Sequence, residues 1–255
     1  MIDVRSLTFG YETQAPVFES FDWGVKRGDT WAVIGPSGSG KTSLLYLLSG
    51  LIRPNKGEIL IENRPVVRPR PLTGLILQEY GLLPWLTVEQ NAVLGLNVRN
   101  FYGPDGKHAP RDHDRTVDVH PWMERLGIAH LAGKYPSQIS GGERQRTAIC
   151  RTLALKPDIL LMDEPFSSLD AIIREDLQQL TMALCREQAI TLIIVTHALE
   201  EAAVIGKKIL LLGKPPNQTA NIIKNPGAGE KQFQDSREYY EMCRTIRKEL
   251  DEKTP

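Results

Sequence analysis

The chain has few cysteines, no net charge and no long apolar run, and each shortage closes off a class of protein. Its three cysteines, Cys150, Cys185 and Cys243, fall at no paired or metal-ligand spacing and sit inside helix-like patterns. Neither a disulfide framework nor a zinc knuckle is expected, and a reduced, cytoplasmic protein is. The 31 Lys and Arg balance the 31 Asp and Glu, so no global field recruits nucleic acid or an anionic bilayer. No window approaches the roughly eighteen apolar residues that a membrane span needs. Residues 1–11, MIDVRSLTFGY, lack the basic-then-apolar layout of a secretion signal and read as a strand. Internal repeats and long low-complexity tracts are also missing. What remains, 41% hydrophobic and 24% charged over 255 residues, suffices for one large domain or two small ones.

Short β-rich runs recur at residues 2–8, 30–34, 57–61, 74–77, 159–162, 191–195 and 208–212. WAVIG, DILLMDE and TLIIVTH among them are nearly continuous apolar runs, as in strands covered on both faces. Helical patterns separate them, so an α/β fold with a mainly parallel sheet is expected. From about residue 79 to 156 the texture turns to helices and polar loops, which reads as a helical subdomain inserted into an α/β unit spanning 1–213. Residues 214–255 read as a short tail ending in a surface helix over 236–253. Tyr239, Cys243, Ile246 and Leu250 form one stripe of that helix.

Gly35-Pro36-Ser37-Gly38-Ser39-Gly40-Lys41-Thr42 fits G-x-x-x-x-G-K-[ST] in full, between an apolar strand and a helical run that starts with Thr42 and Ser43. Glycines let the backbone approach phosphate oxygens, the amides point inward, and the helix N-terminus adds its dipole. Lys41 is then expected to span the β- and γ-phosphates of a nucleoside triphosphate, with the Thr42 hydroxyl on Mg²⁺. The strand 159–162 ends in Asp163 and Glu164, carboxylates at the sheet edge where α/β ligands bind. Asp163 suits the Mg²⁺ shell and Glu164 is placed to polarise an attacking water. His197 closes the run TLIIVTH and is expected to hydrogen-bond the γ-phosphate and hold the water–carboxylate pair.

A second phosphate grip stands a hundred residues on, where Ser140-Gly141-Gly142-Glu143 opens a helical run. The order of P-loop, Gln78 loop, SGGE, DEP, SSLD and TH resembles the ATP-binding subunit of an ABC transporter. The likeness implies a P-loop NTPase (RecA-like) core with an N-terminal antiparallel β part, ATP and Mg²⁺ as cofactors, and ATP-driven dimerisation. Ser140, Gly141 and Gly142 would then bind the γ-phosphate of ATP held by a second ATPase subunit, a copy or close paralogue. Tyr11 matches the aromatic that stacks on adenine, Gln78 the loop glutamine that reaches Mg²⁺ and the membrane subunit, and Asp170 the acid that meets the opposing P-loop. Glu143 stands where the family more often has Gln, Ala198 where it usually has Asp, and Cys150 where it usually has Ala.

The stretch 81–96, GLLPWLTVEQNAVLGL, together with FSSLDA and VTHALEEA, resembles importers of the nitrate, sulfonate and taurine type. That implies a peripheral ATPase at the cytoplasmic face of the membrane, integral permease subunits as partners, and an extracytoplasmic solute-binding protein served indirectly. The Pro-Trp element would receive a short cytoplasmic helix of the permease. An exporter-type ATPase and a soluble ABC ATPase share the motifs and stand as alternatives. His108, His113 and His120 with Asp112 and Asp114 fit no standard metal spacing and read as a solvated loop. Arg64, Arg68 and Arg70 read as a Pro-stiffened surface loop.

Overall fold

The computed structural model describes residues 1–12, 15–102, 118–230 and 232–252. Strands are β1 (Ile2–Phe9), β2 (Phe18–Val25), β3 (Thr30–Ile34), β4 (Lys56–Ile61), β5 (Arg64–Pro65), β6 (Thr73–Ile76), β7 (Ile159–Asp163), β8 (Thr191–Thr196), β9 (Lys208–Leu211), β10 (Asn217–Thr219) and β11 (Asn221–Lys224). Helices are α1 (Lys41–Ser49), α2 (Val88–Tyr102), α3 (His120–Arg125), α4 (Gly141–Leu153), α5 (Ala171–Glu187), α6 (Leu199–Ile205) and α7 (Arg237–Asp251). One sheet runs β10-β2-β1-β4-β5, the other β11-β9-β3-β8-β7-β6. The second is parallel except at β11, which runs antiparallel to β9.

Its central strands are apolar throughout because alternate side chains enter two different cores. Trp31 and Val33, Ile159 and Leu161, and Ile193 and Val195 face one core, which they share with β1, β2 and the buried Leu44, Leu45, Leu47 and Leu48 of α1. Ala32 and Ile34, Leu160 and Met162, and Leu192 and Ile194 face the other, under the remaining helices. Helix α1 is therefore enclosed between the two sheets, and the loop leading into it cannot move independently of either.

Between β6 and β7 the described residues contain α2, α3, α4 and two 3₁₀ turns but no strand. Val88, Ala92 and Leu96 of α2, spaced four apart, pack with Met123, Leu126, Ile149 and Leu153. Asn91, fully buried, takes the Leu83 amide at 2.8 Å and donates to the carbonyls of Leu83, Leu86 and Thr87 at 3.0–3.1 Å. This one amide fixes the LLPW turn and leaves Trp85 68% exposed.

The segment after Gly213 is more than a surface tail. It gives β10 to the first sheet, parallel to β2, and β11 to the second. Asn217–Thr219 carries no apolar pattern, so the strand arises from backbone pairing at a sheet edge. Helix α7 starts at Arg237, capped by the Ser236 side chain, and buries Ile246 with Tyr239, Met242, Cys243 and Leu250 packed beside it. His108, Asp112, His113 and Asp114 lie outside the described residues; His120 is 3.7 Å from Glu124 on the exposed start of α3. Among the described residues no helix is long and apolar enough to cross a membrane, and no three His, Cys, Asp or Glu cluster to hold a metal.

Candidate active site

The C-terminal ends of β3, β7 and β8 bring the expected residues to one edge. Gly35 follows β3 where a Cβ would stand 2.4 Å from the Leu212 carbonyl. Gly40, at φ +99°, would drive a Cβ to 2.3 Å from Val17. The loop therefore passes too close to both sheets for side chains at these two positions. Lys41 opens α1 and folds its ammonium back onto the carbonyls of Gly35 and Pro36, both at 2.9 Å. Burial lowers its pKa, opposed by the nearby charges of Glu164 and Asp163. Ser39 is fully buried, and its hydroxyl has no partner among the described residues.

Thr42, at the second position of α1, donates its hydroxyl to Asp163 Oδ1 at 3.2 Å. Burial raises the Asp163 pKa, the Thr42 hydrogen bond lowers it, and the Glu164 charge raises it again. Glu164 still pairs with β8 through its amide, 2.8 Å from the Val195 carbonyl, but its φ of 44° turns the chain sharply away. A left-handed conformation is costly for a residue with a side chain. Here it aims the carboxylate along the sheet edge: Glu164 Oε2 lies 3.1 Å from His197 Nδ1 and 3.5 Å from Gln78 Nε2. On the other side of α1, the hydroxyls of Tyr11 and Ser43 share a hydrogen bond at 3.1 Å. The Tyr11 ring stands edge-on to Phe9, 5.0 Å between centroids.

The second grip lies apart from the first. Ser140 caps α4: its Oγ accepts the Glu143 amide at 3.3 Å, and Glu143 Oε2 accepts the Ser140 amide at 2.7 Å. Gly142 is packed under α5, where a Cβ would meet Ile173 at 2.6 Å. Asp170 caps α5 by accepting the Ile173 amide at 3.1 Å. Among the described residues no hydrogen bond joins Ser140–Gly142 to the Gly35–Thr42 loop.

Three positions that sequence reasoning missed hold this arrangement. Asn217 of β10 is buried, donates to the carbonyls of Ser39 at 2.9 Å and Val17 at 3.2 Å, and takes the Gly213 amide at 2.9 Å. Arg151 of α4 donates to the carbonyls of Tyr80 at 2.8 Å and Gly81 at 2.6 Å, tying the Gln78 loop to the helix that Ser140 caps. Tyr80 in turn shares a hydrogen bond with Ser168 at 2.6 Å. None has a sequence signal, because each serves a backbone carbonyl or hydroxyl far away in the chain.

A family described as "ABC transporter" matches residues 18–167. The chain belongs to that family. This ABC ATPase is 36% identical to the aliphatic sulfonates import ATP-binding protein of Bacillus cereus over 225 residues, 88% of this chain and 85% of that one. It is 38% identical to the nitrate import ATP-binding protein of Synechococcus elongatus over 192 residues, 75% of this chain and 28% of that longer one. Among solved structures, the dimeric ATP-binding cassette MJ0796 in a post-hydrolysis state with ADP and Pi has 27% identity and a TM-score of 0.73, covering 88% of this chain and 98% of its own. The ABC ATPase thus has the P-loop NTPase fold expected of it, binds ATP and hydrolyses it.

Proposed function

We propose that this ABC ATPase energises an importer of a small solute, nitrate-, sulfonate- or taurine-like or another small organic or anionic species. It would work at the cytoplasmic face of the membrane beside permease subunits, with an external solute-binding protein delivering the cargo. The observation that carries the hydrolytic part is Glu164 Oε2, reached by both His197 and Gln78 beside the Lys41 loop. The amides of Gly35–Thr42 and Lys41 hold the ATP phosphates, Lys41 exchanging its two loop carbonyls for phosphate oxygens. Glu164 orients a water and takes up its proton as the water oxygen bonds to the γ-phosphorus and the bond to the β-phosphate oxygen breaks. His197 holds the γ-phosphate and the Glu164 side chain in register.

Thr42, Asp163 and Gln78 offer hydroxyl, carboxylate and amide oxygens, a hard donor set that fits Mg²⁺. When bound, the ion would neutralise charge between the β- and γ-phosphates. Tyr11, tethered to Ser43 in α1, would stack on the adenine. Ser140, Gly141 and Gly142 serve the ATP of a second subunit, and Asp170 meets that subunit's P-loop, so two composite sites close when ATP joins the copies.

For coupling we assign the apolar surface of the helical insert, residues 79–156, to a cytoplasmic helix of the permease. Trp85 projects there on its Asn91-braced turn, and a separate cavity of about 490 Å³ between β6 and α2 is lined by Leu75, Leu94, Val98 and Leu155 together with Arg70, Arg99 and Arg151. Apolar exposure beside a fixed turn is what a docking helix needs.

Glu164→Gln should bind ATP, lose turnover by about 10²–10⁴-fold and run as a dimer on gel filtration with ATP and Mg²⁺. A variant that stays monomeric at saturating ATP contradicts the sandwich. Tagged protein recovered from native membranes should bring down a multi-span membrane protein in stoichiometric amount. Recovery of soluble partners alone would favour a soluble ATPase instead.

A further inference from the structure

The turn that carries His197 is braced from behind by a buried carboxylate that hydrolysis as described does not use. Glu201, in α6, is only 4% exposed. It borders a cavity of about 290 Å³ whose wall also includes Arg174, Gln178, Thr196, His197 and Gln234. Burying a carboxylate is costly unless hydrogen bonds replace its water. Thr196 and Gln178 stand beside the carboxylate and hold its pKa down, with the charge of Arg174 nearby, yet burial outweighs them and raises it. One oxygen, Oε1, has no partner among the described residues. The fold therefore tolerates an uncomfortable group at this spot, a pattern that often accompanies a functional demand.

Thr196 is the pivot. Its Oγ1 accepts the Ala198 amide at 3.0 Å, closing a turn across His197. Accepting that amide leaves the hydroxyl proton free to be offered to Glu201, which lines the same cavity wall. One hydroxyl thus links the residues on both sides of His197 and stands where it can tie them to α6. The His197 side chain is 62% exposed, so packing does little to fix its direction. Its place 3.1 Å from Glu164 depends on the backbone turn beneath it.

We infer that Glu201 is a positioning residue for ATP hydrolysis: through the Thr196 hydroxyl it locks the 196–198 turn, so that His197 meets Glu164 and the γ-phosphate together. The inference rests on His197 being catalytic, as proposed above. Steady-state ATPase kinetics on the full chain test it with Thr196→Val, Thr196→Ser, Glu201→Leu, Glu201→Gln and His197→Ala. Thr196→Val and Glu201→Leu should each lower kcat about 10- to 100-fold, the scale of a small misplacement at a reacting centre, while KM for ATP stays within about twofold. Thr196→Ser and Glu201→Gln keep the hydroxyl and the acceptor and should recover most of that loss. Added to His197→Ala, Glu201→Leu should slow the enzyme no further, because both act on one group.

Equal losses in Glu201→Leu and Glu201→Gln, a parallel rise in KM, or losses that multiply with His197→Ala would each overturn the inference. Should Glu201→Leu not fold, the near-isosteric Thr196→Val decides alone, and a normal kcat there sinks the clamp. A slow His197→Ala enzyme beside a fast Thr196→Val enzyme overturns the inference only. A His197→Ala enzyme with full kcat overturns the catalytic reading of His197, and the clamp with it.

Discussion

Glu143 stands in the first turn of α4, where this family more often carries glutamine. Its carboxylate accepts the Ser140 amide while Ser140 caps its own amide, so the side chain organises the turn on which the proposed phosphate contact of Ser140 rests. A glutamine oxygen would accept the same hydrogen bond. Glu143→Ala should lower stability by about 1 kcal/mol at pH 7 in urea unfolding, the usual loss for a broken cap, whereas Glu143→Gln should stay close to the parent. The Ser140 hydrogen bonds hold the Glu143 pKa below its ordinary 4.5. With the folded value depressed, the charge stabilises the fold above 4.5 and its contribution fades as pH falls through the folded value. The parent should therefore lose stability relative to Glu143→Gln only in acid. The cysteines play no comparable part: burial pushes the thiols of Cys150 and Cys185 up to about 12, far from nucleophilic.

Among the elements, β3, β7 and β8 were legible almost to the residue, because strands buried on both faces spell themselves as apolar runs. The P-loop and the two acids at the end of β7 were legible because phosphate chemistry dictates residue type at fixed spacing. Strand β2 was not. Ser20, at φ 49°, shifts its register against β1, so Phe18 and Phe21 both turn inward although three apart. Strands β10 and β11 escaped for another reason: their identity comes from the sheet edges they meet, not from their own composition. Asn217 is the functional cost of that blind spot. Removing a buried amide that serves two carbonyls and one amide leaves unpaired groups worth about 1–3 kcal/mol each. Asn217→Ala should lower the melting temperature and, by loosening the Ser39 backbone, raise KM for ATP more than it lowers kcat. Unchanged kinetics in a destabilised variant would confine Asn217 to the fold.

On the scale of the whole molecule, the two proposed phosphate grips sit on different elements, α1 and α4, and among the described residues no hydrogen bond joins the two. The arrangement predicts complementation. Lys41→Ala and Ser140→Arg proteins should each be inactive, while an equimolar mixture should regain roughly a quarter of full ATPase activity if copies pair at random about a two-fold axis. In a mixed pair both lesions fall on one composite site and the other is intact. A mixture as silent as its components would mean that each chain builds its site alone. Sequence order and the family resemblance suggested both grips and gave them to different sites; the fold adds that they stand on separate helices.

The anchoring of the P-loop by β10 also sets a timetable. Residues 35–42 leave the ribosome early, but the carbonyl of Ser39 is held by Asn217, and β2 has its outer neighbour only when β10 arrives. Until Asn217 has emerged, the nucleotide loop lacks that brace. A nascent chain should therefore become ATP-competent late, after the helical insert has been made.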